Sequence, residues 1–144
     1  LTLPEIYRAI ADHYNTASET VHFAHYTTDW DNNQAYFYSV MLKITDSSSD
    51  WENIDGVWCD WHDKMRHNLS SIEASADADG SSFKSYIAPG EAHTILMSND
   101  FYTETSGGTD LIDWLNAMLA NSTSYTSVDC SPNCAKPSTA PTCP

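Results

Sequence analysis

Apolar residues recur every three or four positions over four segments of the chain, a spacing that is typical of amphipathic helices. The predicted helices cover residues 3–14, 32–43 and 50–74, and Thr109 or Asp110 is predicted to cap a last helix. The longest of them has a stripe of large apolar residues that we expect to face a core. These residues are Ile54, Val57, Trp58, Trp61, Met65, Leu69 and Ile72.

Two short segments, 21–27 and 83–88, are instead rich in β-branched and aromatic residues, which favours strands. The order helix, strand, helix, helix, strand, helix predicts an α/β domain over residues 1–121, with parallel strands and flanking helices. Two strands alone do not make a stable parallel sheet that is covered on both faces. We therefore expect strands that the pattern misses, or a larger sheet that another chain or a missing segment completes. Residues 122–144 show no periodicity and are predicted to be a Cys-, Ser- and Pro-rich tail.

Composition limits the classes of partner. The chain has 20 acidic and 6 basic residues, and its net charge of −14 argues against nucleic acid or an anionic membrane as a partner. It contains no apolar run of about 18 residues, so we expect no membrane span. Leu1–Pro4 lacks the basic start and apolar run of a signal peptide, so we interpret the chain as a mature form or a piece of something longer.

The cysteine pattern favours two disulfides, and therefore a secreted or extracellular protein. The candidate disulfide residues are Cys59, Cys130, Cys134 and Cys143. Three of them lie in the tail, and the sequence leaves all three ways of pairing them open. A zinc site is the alternative, but Cys130 and Cys134 have no second ligand pair at the spacing of a zinc finger.

Other residues match modification or metal sites only in part. Two sequons make Asn68 and Asn121 candidates for glycosylation. His22 and His25 are three apart on a predicted strand, so they point to opposite faces and make a poor metal pair. Three polar residues of the long helix are interpreted as a solvated face rather than as a cluster of metal ligands. These residues are His62, Asp63 and His67. We predict no metal and no cofactor.

Two residues at the ends of the predicted strands carry the candidate chemistry. Asp31 follows the first strand and His93 follows the second, and sites in open α/β sheets lie beyond the carboxyl ends of the strands. An acid followed by a histidine matches the chain order Ser, Asp, His of α/β-hydrolases. In such a triad the carboxylate holds the imidazole, and the imidazole takes a proton from the nucleophile. Asp29 is a rival acid two positions earlier.

The segments around these residues resemble the pectin acetylesterase and Notum-like family of serine hydrolases. Residues 30–34 have an Asp-x-x-Gln setting that opens a helix, and residues 88–96 read Ala-Pro-Gly-Glu-Ala-His-Thr-Ile-Leu. The resemblance extends over residues 3–120 and implies an α/β-hydrolase fold that cleaves carboxylic esters. It implies Asp31 as the triad acid and His93 as the base. Gln34 is a candidate to orient Asp31 or the strand-end loop, and the alternative is that Gln34 is a helix-surface residue.

The chain departs from the family at the nucleophile. None of its five glycines belongs to a Gly-x-Ser-x-Gly elbow, and the segments that would form an oxyanion hole are absent as well. The resemblance therefore implies the C-terminal half of the fold. The serine and the oxyanion hole are then expected on a second polypeptide or an N-terminal segment, and the substrate is an ester, by analogy an acetylated polysaccharide.

Two other function classes remain open. A non-catalytic structural or interaction protein could retain the same half-fold and use its aromatic-rich surface and disulfide tail for assembly. A carbohydrate-binding module would need exposed aromatic side chains. Trp58 and Trp61 lie on the apolar helix stripe and are predicted to be core residues, which argues against the second of these classes.

Overall fold

A computed structural model describes residues 3–14, 21–46, 54–78 and 81–143. Within these ranges, helices and strands are interspersed along the chain. The helices are α1 (Leu3–Tyr14), α2 (Asn32–Thr45), α3 (Ile54–Ala78) and α4 (Leu111–Leu119), with a 3₁₀ turn at Asn99–Tyr102. The strands are β1 (His22–Thr28), β2 (Ser82–Ala88), β3 (Thr105–Ser106), β4 (Thr109–Asp110) and β5 (Val128–Asp129).

The main sheet is parallel and has the strand order β1-β2-β5. His22 pairs with Ser82, and this register continues to the carboxyl ends of both strands. Strand β5 pairs in parallel with the second half of β2, where Tyr86 lies opposite Val128. The prediction of an α/β fold with parallel strands and flanking helices is thus confirmed. The third strand lies in the segment predicted as a tail without periodicity.

Side chains alternate between the two faces of the sheet, and helices cover both faces. On one face Phe83 and Ile87 pack against Leu69 and Ile72 of α3, and α1 adds Tyr7. On the other face Tyr86 packs against Leu111 and Trp114 of α4. This arrangement is the expected one for a parallel sheet, whose strands bury both faces.

Helix α2 packs on α3 rather than on the sheet. A cluster of Trp30, Ala35, Trp58 and Trp61 fills the space between the two helices. Trp58 and Trp61 are both more than 90% buried, as the helix stripe predicts. Neither indole is therefore free to stack on a sugar.

The tail is held by more than its cysteines. We call Cys59–Cys143 the long-range disulfide, because it joins the end of the tail to α3, and Cys130–Cys134 the local disulfide. The Tyr125 hydroxyl also donates to the carbonyl of Phe23 at 2.8 Å. The Trp114 indole donates to the carbonyl of Thr126 at 2.8 Å. All four candidate cysteines are thus paired, and their connectivity is defined.

The predicted boundaries are close to those observed. Helix α1 matches its predicted range, and β1 and β2 are shifted or extended by one residue. Helix α3 extends to Ala78, four residues beyond the predicted end, whereas its predicted start at 50–53 lies outside the described residues. Among the helices described, none has both the length and the apolar character that crossing a membrane requires.

Candidate active site

Asp31 and His93 lie in direct contact at the carboxyl ends of β1 and β2. The Nδ1 atom of His93 lies 2.9 Å from Oδ2 and 3.2 Å from Oδ1 of Asp31. Because an ionised carboxylate only accepts hydrogen bonds, the imidazole Nδ1 carries the proton and donates it. Asp31 is 1% exposed, whereas the side chain of His93 is 34% exposed. The pair therefore has a buried acid and an imidazole open to solvent.

Two main-chain hydrogen bonds and one from a threonine hydroxyl join the two strand ends and hold this arrangement. The amide of Asp29 donates to the carbonyl of Ala88 at 2.8 Å, and the amide of Trp30 donates to that of Gly90 at 3.0 Å. The Thr28 hydroxyl donates to the carbonyl of Ala92 at 2.9 Å. These bonds extend the β1–β2 pairing past the end of the sheet, so Asp31 and His93 are brought together by the backbone.

Gly90 allows the chain to turn in the loop that follows β2. Its φ angle of +93° lies in a region that side-chain-bearing residues rarely adopt. The Pro89-Gly90 break therefore turns the chain sharply at the end of β2, three residues before His93.

Asp31 has a second task as the N-cap of α2. Its Oδ1 atom accepts a hydrogen bond from the main-chain amide of Gln34 at 2.8 Å. A carboxylate at this position also interacts favourably with the positive end of the helix dipole. Gln34, the candidate orienting residue, thus holds Asp31 through its backbone, while its own side chain is exposed. That contact does not depend on the glutamine side chain.

The second ring nitrogen of His93 is available for chemistry. No residue in the described part of the chain donates to or accepts from its Nε2 atom. With Nδ1 protonated, Nε2 carries the lone pair and is a hydrogen-bond acceptor on a side chain that is partly open to solvent. The pair can therefore accept a proton from a group that approaches from outside these residues.

The rival acid Asp29 is engaged elsewhere. Its Oδ1 atom lies 3.1 Å from Nε2 of His62 and accepts from Nε of Arg66 at 2.8 Å. Burial acts to raise the pKa of Asp29, but the hydrogen bond from His62 and the charge and hydrogen bonds of Arg66 outweigh it and lower the pKa. Asp29 is thus the ionised partner in a structural ion pair and does not contact His93.

His62 belongs to the same network, although the sequence pattern placed it on a solvated face. Its ring stacks on Trp30 at 4.4 Å between centroids, and its Nδ1 atom lies 3.1 Å from Asp63. The hydrogen bond to Asp29 raises the pKa of His62, against the effect of burial. His67 and Asp63 are exposed, as predicted, so the interpretation fails for His62 alone.

Arg66 links this network to the tail. Its guanidinium binds Asp29 at the end of β1 and also donates to Asp129 of β5 at 2.7 Å. One half-buried cation therefore joins three segments that are far apart in sequence.

The candidate metal-ligating residues do not form a metal site. His22 packs beside Tyr125 on the α4 face and His25 beside Phe83 on the α3 face, so they point in opposite directions, as predicted. In the described ranges, one group of potential ligands comes within 4.8 Å, and it combines Asp29 with the local disulfide. The two sulfurs are bonded to each other and Asp29 is paired with Arg66, so these atoms are not free to bind a cation.

Both candidate glycosylation residues are exposed. Asn68 lies within α3, and Asn121 lies just beyond α4 with a φ angle of +49°. Nothing in the geometry of either residue requires a glycan.

Comparison of the chain with protein-family models, with curated proteins and with solved structures found no match. The fold and the Asp31–His93 geometry therefore carry the functional argument.

Proposed function

We propose that this chain supplies the acid and the base of a Ser-His-Asp triad in a secreted serine esterase of the pectin acetylesterase type. The observation that carries the proposal is the contact between the buried Asp31 carboxylate and Nδ1 of His93 at 2.9 Å, beyond the ends of two parallel strands. It agrees in geometry and in chain order with the acid–base half of a triad. The two disulfides are consistent with an oxidising, extracellular environment.

In this mechanism His93 accepts the proton of a serine hydroxyl through Nε2 while the serine oxygen attacks the ester carbonyl. Asp31 keeps the Nδ1 proton in place and stabilises the imidazolium that forms. The imidazolium then gives its proton to the leaving alcohol, and an acyl-enzyme remains. Water repeats the sequence with His93 as base, and the carboxylic acid is released as the serine is restored.

The serine and the oxyanion hole come from a second polypeptide or from another segment of a longer chain. No hydroxyl or thiol of the described residues hydrogen-bonds to His93. The substrate proposed by analogy is an acetylated polysaccharide, because the resembled family acts on esters of that class.

A serine-reactive fluorophosphonate probe tests the proposal on the native material. We expect one polypeptide that copurifies with this chain, or the longer form of the chain itself, to be labelled. The label should be lost in His93→Ala and retained in His67→Ala, a control that removes an exposed histidine outside the pair. Labelling that survives His93→Ala, or no labelled polypeptide at all, would favour the non-catalytic alternative.

Intact mass before and after reduction provides a second measurement. A mass that falls to that of the 144-residue chain only on reduction would reveal a disulfide-linked partner. The two disulfides found here use all four cysteines internally, so we expect any second polypeptide to be held without a covalent bond.

A further inference from the structure

Within the described part of the chain, the outer edge of β1 is unpaired and lacks the features that usually protect an edge strand. Among the residues that the structure describes, only β2 pairs with β1, so one side of this strand carries no strand partner. Natural edge strands are commonly protected by lysine, proline, bulges or very short length. Strand β1 reads His-Phe-Ala-His-Tyr-Thr-Thr over seven residues and has none of these protections.

A groove opens on each face of the sheet beside this strand. The α4-side groove has a volume of about 500 Å³ and lies between β1, the loop after His93 and α4. The residues that line it include Ala24, Tyr26, Ile95, Leu96, Trp114 and Leu115. The α3-side groove, of about 250 Å³, is lined by His25 and Thr27 together with Tyr7, Trp61, Met65 and Ile72. Successive residues of β1 thus open alternately into the two grooves.

Neither groove contains a charged side chain, although 18% of the residues in the chain are Asp, Glu, Lys or Arg. Leu96 is 78% exposed and Met97 is 87% exposed at the rim of the α4-side groove. Phe37 and Met41 of α2 are also exposed and adjoin the α3-side groove. An uncharged, apolar surface of this extent on an acidic protein is typical of a binding interface.

The hydroxyl of Tyr26 adds an independent indication. It is buried and has no hydrogen-bond partner among the described residues, and it lies in the strand that borders the α4-side groove. Buried polar atoms without partners are rare in complete folds, because each costs stability. A docking segment could supply the missing partner.

We infer that a partner strand adds in parallel to the free edge of β1 and that helices flanking this strand fill both grooves. The inference rests on the proposed function, since the occupant is the polypeptide or segment that carries the nucleophile. A parallel strand ends at the same edge of the sheet as Asp31 and His93, so its carboxyl end lies on the side where a serine is needed. A second copy of this chain fits poorly, because two chains of net charge −14 repel each other.

Site-specific photo-crosslinking in the native assembly tests this docking mode. A benzophenone side chain replaces Leu96 in one variant and Asn68, which borders the α3-side groove, in another. The control position is Leu119, which is 78% exposed like Leu96 but lies outside both grooves. We expect Leu96 and Asn68 to crosslink to the same polypeptide or segment and Leu119 not to do so.

The fluorophosphonate label separates failure of the docking mode from failure of the esterase proposal. A crosslinked partner without the label supports the docking mode and contradicts the esterase. A labelled partner that crosslinks only elsewhere supports the esterase and overturns the docking mode. Crosslinks to a second copy of the chain, or none from Leu96 and Asn68, also overturn it.

A pair of matched substitutions gives a second measurement. Leu96→Glu places a carboxylate in the α4-side groove, where docking would bury it without a partner, and Leu119→Glu makes the same change outside the grooves. Retention of the partner should fall at least about tenfold for Leu96→Glu and stay unchanged for Leu119→Glu. Equal retention by both variants would contradict the inference.

Discussion

Replacing Asp31 by asparagine is expected to abolish most activity while preserving the fold. The reason lies in the two contacts of the carboxylate, with the amide of Gln34 at 2.8 Å and with Nδ1 of His93 at 2.9 Å. Asparagine caps helices as well as aspartate does, so its side-chain oxygen will stay on the Gln34 amide. Its NH₂ group then points at His93.

That orientation forces the wrong tautomer on the imidazole. Because the NH₂ group donates, Nδ1 of His93 must accept, and the proton moves to Nε2. An Nε2 atom that carries a proton cannot take one from serine. The corresponding change in the serine protease triad lowers kcat about 10⁴-fold, which equals about 5.5 kcal/mol of transition-state stabilisation.

The assay is the hydrolysis of p-nitrophenyl acetate by the assembled enzyme, together with the rate of fluorophosphonate labelling. Circular dichroism should show an unchanged helix content for Asp31→Asn. The matched variant is Asp29→Asn, which alters the rival acid and its Arg66 ion pair without touching His93. Activity of Asp31→Asn within about tenfold of wild type, or a larger loss of kcat in Asp29→Asn, would refute the tautomer argument.

Three further predictions concern stability. Produced alone, the chain should be insoluble or bind hydrophobic dyes without a cooperative thermal transition, because the β1 edge and both grooves are bare; a sharp transition would contradict the half-fold. In the assembled protein, replacing the long-range disulfide by serines should lower the free energy of unfolding by about 4–5 kcal/mol, against about 2 kcal/mol for the local disulfide. The closed loops differ in length, with sequence separations of 84 and 4, so equal losses on urea unfolding would refute the estimate. The hydrogen bond with Asp29 raises the pKa of His62 above 6.5. The ion pair of His62 with Asp29 therefore stabilises the folded protein fully below pH 6.5, and this stabilisation is lost as the pH rises through the raised pKa. The drop in Tm caused by His62→Gln should therefore be larger at about pH 6 than at about pH 9, and the opposite order would count against the ion pair.

The sequence predicts the Asp31–His93 contact because the strands that precede the two residues are parallel. Parallel strands bring their carboxyl ends to one edge, so residues far apart in sequence meet there without further information. The same rule cannot choose between Asp29 and Asp31, which both follow β1. The choice is made by α3, which brings Arg66 and His62 to Asp29 and leaves Asp31 to His93.

The local sequence pattern does not predict β5 or the packing of His62. Strand β5 is two residues long, and Val128-Asp129 in a polar segment has no detectable alternation. Its pairing with β2 depends on long-range contacts such as that between Tyr125 and the carbonyl of Phe23. The sequence pattern predicts that His62 is exposed to solvent, because it is polar and borders the apolar stripe. In the structure Trp30, just after β1, stacks on its ring. Proximity to Trp30 becomes visible only once α3 is packed on that loop.

The main-chain bonds between the ends of β1 and β2 have a consequence for control. In the assembled protein they hold the acid against the imidazole through the β1–β2 pairing itself, so the geometry of the pair is set when this part of the sheet folds. In an esterase built in this way, the base would form only when the two parts associate and this chain folds. Association would then supply the nucleophile and the base together, and its strength would set how much active enzyme exists.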